Sequence, residues 1–143
     1  MKHKKIIGRA EKVDFPDLGF TDIDAKIDTG AYTSSLHCHY IKLIGDQLYC
    51  RFLDPHHPQY NALYTTFENF RMKEVRSSNG LLEKRFAIKT SMIMMGKKYR
   101  IEFTLTNRKK MKYEALLGSK FLTGRFIVDV SLKNAGDAEK HKG

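Results

Sequence analysis

The sequence predicts an all-β fold, a small closed β-barrel with one short helix. Three observations predict it. Apolar residues recur at spacing two through most of the chain, glycine-centred turns separate these runs, and a single four-residue stretch carries helix start and stop signals.

The elements follow in chain order. Ile6 to Val13 reads as a terminal strand, and Ala25-Lys26-Ile27 as the end of an apolar strand that delivers Asp28. Leu36 to Ile44 and Gln47 to Leu53 flank Gly45-Asp46, which predicts a hairpin. Glu74-Val75-Arg76 and Leu82 to Phe86 flank Asn79-Gly80, whose readiness for positive φ makes it the strongest hairpin signal in the chain. Phe86 to Met95 and Tyr99 to Thr106 form a third pair about Gly96-Lys97. In its second strand Tyr99, Ile101, Phe103 and Leu105 fall on one face and polar residues on the other, as a half-buried strand requires. Ser119-Lys120-Phe121-Leu122 is the helix, stopped by Thr123-Gly124. Arg125 to Val130 is the last strand, with Phe126, Val128 and Val130 expected on its buried face.

At 143 residues the chain fits one domain with a real core but is too short for two lobes, so a site needing two lobes needs two chains. The single domain is expected over residues 1–132, followed by a charged, flexible tail over 133–143. Hydrophobic residues make up 41% and charged residues 29%, which excludes a disordered chain. No apolar run approaches the roughly 18 residues of a membrane span. The basic N-terminus lacks the apolar stretch of a secretory signal, and a cytoplasmic protein is expected. In that reducing compartment Cys38 and Cys50 are expected to be free thiols. The formal charge of +10 favours anionic partners within a Debye length of about 8 Å. Nucleic acid, ribosomes and acidic peptides all fit, and six of the 26 basic residues lie near the two ends.

The chemistry-bearing motif is Asp28-Thr29-Gly30, an acid at a strand end followed by a hydroxyl residue and glycine. Alone it is weak, since on the order of one chain in twenty of this length would carry D-[ST]-G by accident. A second element strengthens it: Ala115-Leu116-Leu117-Gly118, the short helix, then a strand.

Asp-Thr-Gly on a strand with apolar-apolar-Gly before a short helix downstream resembles the paired signature of the retropepsin-like (acid protease) fold. The resemblance extends to a bacterial and archaeal family that carries the name ATP-dependent zinc protease, was later regarded as retropepsin-like, and is often encoded beside an ATP-grasp glutamate ligase. The stretches that carry it are Gly8 to Glu11 with Phe15 to Gly19, Ala25 to His37, Val75 to Gly80, Leu105 to Arg108 and Leu116 to Gly118. Tyr32, Cys38 and Ser119 depart from it, standing where the family commonly has Arg, Ala and Arg.

The resemblance implies an aspartic peptidase working as a homodimer with one Asp-Thr-Gly per subunit. Asp28 would be base in one copy and acid in the other, Thr29 would bond across the axis, and Gly30 would let the carboxylates approach. Ala31 lacks the hydroxyl that lowers the carboxylate pKa in pepsin-like enzymes, which moves the active window toward neutrality. Val75 to Gly80 would form a flap, and Ala31, Arg76, Ser77, Ser78, Asn79 and Gly80 would bind substrate. His37, Leu117 and Gly118 would support the loop, the glycine by permitting close backbone approach. Acidic or polyglutamylated peptides are the expected substrate class, with no cofactor and no metal.

Two other readings stay open. A zinc-dependent protease would draw on His37, His39, Cys38, Cys50, His56 and His57, although no His-Glu-x-x-His helix is present. A non-catalytic basic barrel binding RNA or a ribosomal surface would use Arg108 to Lys112, although no aromatic stacking motif accompanies that run. No glycine-rich phosphate loop supports ATP dependence.

Overall fold

The computed structural model describes residues 3–76, 79–107 and 112–136. The chain opens with β1 (Lys5–Ile7), β2 (Ala10–Phe15) and β3 (Phe20–Ile27), the last ending one residue before Asp28. There follow β4 (Ser35–Ile44), β5 (Gln47–Phe52), β6 (Thr65–Phe67), β7 (Arg71–Arg76), the long β8 (Leu82–Met94) and β9 (Lys97–Thr106). The chain closes with β10 (Ala115–Leu117), α1 (Ser119–Leu122) and β11 (Phe126–Val128).

Six strands close a barrel in the order β10-β3-β2-β8-β9-β4, because β10 pairs with β3 on one side and with β4 on the other. The closure removes open edges where the barrel would otherwise expose unpaired backbone. β5 and β6 extend the wall outward from β4, and β7 extends it from β8. β1 and β11 form a separate two-stranded parallel ribbon.

Inward-facing residues of every wall strand fill the interior. Phe15 and Phe103 are fully buried and meet edge to face at 5.6 Å. Each such side chain contributes about 2–3 kcal/mol through removal from water. Tyr99, Phe121 and Phe126 form a second aromatic group, continuous with that core, that fastens α1 and β11 onto β9.

The alternation expected for Tyr99 to Leu105 is present, with Ile101, Phe103 and Leu105 buried and Tyr99 half-buried. The β4–β5 hairpin turns where expected, Ile44 facing Gln47 across a turn in which Gly45 takes φ 59°. Two expectations need adjustment, at the β8–β9 turn and at the last strand. The β8–β9 turn is Met95-Gly96 rather than Gly96-Lys97, since Met94 pairs with Lys97 and the two turn residues take φ 54° and 74°. The hairpin at Asn79-Gly80 is present with the bounds expected, its last pair being Arg76 with Leu82. Within it Gly80 has φ 84° and the Asn79 side chain accepts from the Leu81 amide at 3.3 Å. The last strand stops at Val128. Asp129 then accepts from the Ser131 and Leu132 amides, turning the chain and leaving Val130 74% exposed instead of buried.

The expected tail begins too early at residue 133. The Asn134 amide donates to Ala10 O at 2.8 Å, and the Ala135 and Gly136 amides both donate to the buried carboxylate of Glu11 at 2.9 Å. Glu11 also accepts from the Gly8 amide at 2.8 Å, so one buried acid ties the start of the barrel to its end. Residues 137–143 of that tail lie outside the described residues.

Candidate active site

Asp28 emerges where β3 and β10 run side by side, Ile27 facing Leu117. Its amide donates to Leu117 O at 2.9 Å, which continues the strand pairing one residue past the end of β3. Its Oδ1 accepts from the Gly30 amide at 3.0 Å, and its carbonyl from the Ala31 amide at 3.3 Å, closing a tight loop. The carboxylate is half-buried, with Thr29 and Gly30 exposed beside it.

Gly30 does not occupy left-handed backbone. Its value is room: an added Cβ would sit 3.3 Å from Asp28 Oδ1, crowding the carboxylate. Gly118 is required for a different reason. A Cβ there would fall 2.6 Å from Tyr32 O and 2.7 Å from Thr33 O, so the close backbone approach expected at this position is present. The segment after the Asp loop and the segment entering α1 are then stitched together. Ser119 and Lys120 amides donate to Ala31 O and Tyr32 O at 2.7 and 3.0 Å.

Sequence reading missed the residue beneath this joint. Ser34 is buried; its hydroxyl accepts from the Gly118 amide at 3.1 Å, and its carbonyl accepts from both the amide and the hydroxyl of Thr104. Its signal was slight: a hydroxyl residue placed just before an apolar strand, six positions after Asp28.

The remaining predicted residues divide. Leu117 is fully buried, and its carbonyl accepts from the Asp28 amide. Arg76 lies at the exposed end of β7 and donates to Gly80 O at 2.8 Å across the hairpin tip, with Asn79 and Gly80 exposed. Ser77 and Ser78 lie outside the described residues, as do residues 108–111 of the basic run. His37 is buried and its amide donates to Glu114 O. Because β4 runs antiparallel to β10, that pairing puts His37 three residues below Leu117, roughly 10 Å along the strand from the Asp28 loop.

The possible metal ligands do not converge. His39 packs on Tyr60 with ring centroids 5.4 Å apart, and His57 Nδ1 accepts from the Gln59 amide within its own loop. Cys38 and Cys50 are buried free thiols, and the Cys38 thiol is pushed well above its ordinary range, first by its hydrogen bond with Cys50 and then by burial. Among the described residues no three His, Cys, Asp or Glu side chains come together around a point that could hold a metal ion. Among the same residues no helix is long and apolar enough to cross a membrane.

A six-stranded closed barrel with Asp-Thr-Gly at a strand end, and Leu-Leu-Gly crossing beneath it into a short helix, defines a retropepsin-like protein. The particular family is equally plain: residues 6–139 match the RimB-like family, described as retropepsin-like aspartic endopeptidase RimB, and the chain belongs to it. A protein of Shewanella halifaxensis named "Probable alpha-L-glutamate ligase" is 35% identical over 133 residues, covering 90% of this chain and 29% of that protein. One of the same name from Shewanella pealeana is 34% identical over 145 residues, covering 96% of this chain and 32% of its own length. The chain thus spans about a third of these curated relatives. Among solved structures, Lpg0085 of Legionella pneumophila, a protein of unknown function, superposes with a TM-score of 0.71 at 27% identity, covering 94% of this chain and 99% of its own.

Proposed function

We propose that this chain is an aspartic endopeptidase whose working unit is a homodimer, each copy supplying one Asp28. The observation that carries this is the half-buried Asp28 carboxylate, fixed by Leu117, Gly30 and the Gly118 crossing at the mouth of the barrel. One carboxylate cannot both activate water and protonate the carbonyl oxygen. Two facing copies can, because their repulsion makes them share a proton. The ionised Asp28 takes a proton from water as that water attacks the peptide carbonyl, and the protonated one donates to the developing oxyanion. The exposed Thr29 would bond across the two-fold axis of that dimer. Ala31 supplies no hydroxyl to favour the ionised form, which suits an active window near neutrality in the cytoplasm.

The β1–β11 ribbon is the proposed interface. Ile6 and Ile127, neighbours in its register, are 52% and 53% exposed, an apolar strip a second copy would cover. The β7–β8 hairpin would act as the flap, with Arg76, Asn79 and Gly80 at its described tip and Ser77 and Ser78 completing it. Acidic, glutamate-rich peptides are the proposed substrates. The charge of +10 and the glutamate-ligase names of the relatives both support that class. Those names also favour a second reading, in which the barrel is an accessory module to ligase chemistry and cleaves nothing.

The test is cleavage of glutamate-tailed and generic peptides by wild type and Asp28→Asn, with and without chelator, alongside solution mass. Cleavage by a dimer that ignores chelator and falls at least about a thousandfold in Asp28→Asn is expected. Equal cleavage by the variant would sink the reading, and chelator-sensitive cleavage would return it to zinc. Retained glutamate-peptide binding without cleavage would favour the accessory module.

A further inference from the structure

A cavity of about 140 Å³ opens beside α1, between the helix and the β7–β9 wall. Its lining is unusual in charge: Lys73, Arg100, Lys120 and Arg125 face it with a single carboxylate, Glu102. That carboxylate is already engaged. Arg71 holds it through two bonds of 2.7 and 2.8 Å, and Lys73 adds a third at 3.2 Å. Arg125 donates to Phe121 O and lies over the Phe121 ring, so its guanidinium is fixed at the rim. Arg100 has only a distant acid, Asp17 at 3.8 Å, and among the described residues Lys120 has no carboxylate within ion-pair reach. Ile101 and Phe121 also line the cavity.

We propose that this cavity is an oxyanion site that takes one carboxylate or phosphate group, held chiefly by Arg100, Lys120 and Arg125. The volume suits a group of a few heavy atoms with waters, a liquid water occupying about 30 Å³. Guanidinium and ammonium donors bind such groups through short charge-assisted bonds. The site borders the Asp28 loop without being part of it, since the Lys120 amide is bonded to Tyr32 O and Thr33 also lines the cavity. Its occupant therefore braces the joint between α1 and the loop. The proposal stands on the cavity and its charges and holds whether or not Asp28 cleaves peptide.

Two sources could present the group, an acidic side chain of a bound peptide or a free anion. The test uses the full chain carrying Asp28→Asn, so turnover plays no part. Inorganic phosphate is titrated at low salt while the amide signals of Thr33, Lys120 and Arg125 are followed by NMR. A glutamate-rich peptide and its glutamine-matched counterpart are titrated in the same way. Saturable shifts at these three amides are expected, with affinity about tenfold weaker in Arg100→Gln/Lys120→Gln. Both substituted side chains are exposed, and an unchanged melting curve verifies the fold. Phosphate displaced by the glutamate peptide identifies the peptide carboxylate as the occupant. Phosphate retained beside it identifies a free-anion site. A glutamate peptide that needs Arg100 and Lys120 while phosphate fails to bind also supports the carboxylate form. Non-saturating shifts, or equal affinities for phosphate and for both peptides in the parent and the double variant, overturn the proposal.

Discussion

The Asp28 loop and the β7–β8 hairpin are the two parts of the proposed peptidase site, and the chain holds them by different means. The loop is engaged by three elements: β10 through Leu117, α1 through Ser119 and Lys120, and β9 through Thr104 and Ser34. Most of those contacts are backbone bonds between segments far apart in sequence, and several are buried. The hairpin projects from the barrel on the ladder from Arg71–Ala87 to Arg76–Leu82, and its described tip is braced by the Arg76 to Gly80 bond. Outward residues Glu74, Arg76, Leu82 and Lys84 are all exposed. Removing one contact should therefore damage fold and site together at the loop, and change only how substrate is held at the hairpin.

The largest effect is expected at Gly118. Gly118→Ala would push a methyl within 2.6–2.8 Å of backbone atoms of Tyr32 and Thr33, none of which is the end of a flexible side chain. A loss of about 3 kcal/mol in denaturant unfolding is expected, together with loss of cleavage. A Gly118→Ala protein as stable as wild type would break the comparison at once. Ser34→Ala comes next. It leaves the buried Gly118 amide without its acceptor, for about 2 kcal/mol in the same assay.

Those two positions also show what was legible in the sequence and what was not. The β9 alternation was readable because the apolar residues Tyr99, Ile101, Phe103 and Leu105 fall on one face, although Thr104 on the other face is buried as well. The helix was readable because Gly118 and Thr123-Gly124 bracket it, and the Asp28 and Leu117-Gly118 halves because each is a compact local motif. The bond from Gly118 to Ser34 spans 84 residues and that from Ala135 to Glu11 spans 124, and neither leaves any periodic trace. For the same reason the tail was placed too early: nothing local in Asn134-Ala135-Gly136 says that a buried carboxylate waits for two of its amides. Val130 was assigned inward by extending a period past Asp129, whose side chain turns the chain instead.

Smaller effects sharpen the hairpin side. Arg76→Ala is expected to change stability by less than about 0.5 kcal/mol while lowering kcat/KM roughly tenfold, since it removes a tip brace and a proposed substrate contact. Equal losses of stability and activity would mean that the hairpin is as rigidly built in as the loop. The last effect is read as a pH dependence at Glu102, which ties the root of β7 to β9. The Arg71 hydrogen bond, with Lys73 adding to it, brings this carboxyl from its ordinary 4.5 down to about 2. A depressed folded-state pKa contributes stability that is fully present above pH 4.5 and lost as the pH falls toward 2. Thermal melts of Glu102→Gln should accordingly show a shallower decline than wild type across that window, and an identical decline would remove the pair from the account.

The central claim is that two copies of Asp28 act together, and subunit mixing tests it most directly. Wild type at a fixed concentration is combined with increasing Asp28→Asn protein, and cleavage of a glutamate-rich peptide is followed after exchange. Shared-site catalysis predicts a rate that rises faster than linearly with wild-type concentration when dilute and falls steadily as inactive copies capture active ones. A rate proportional to wild-type concentration and indifferent to the added variant would contradict it.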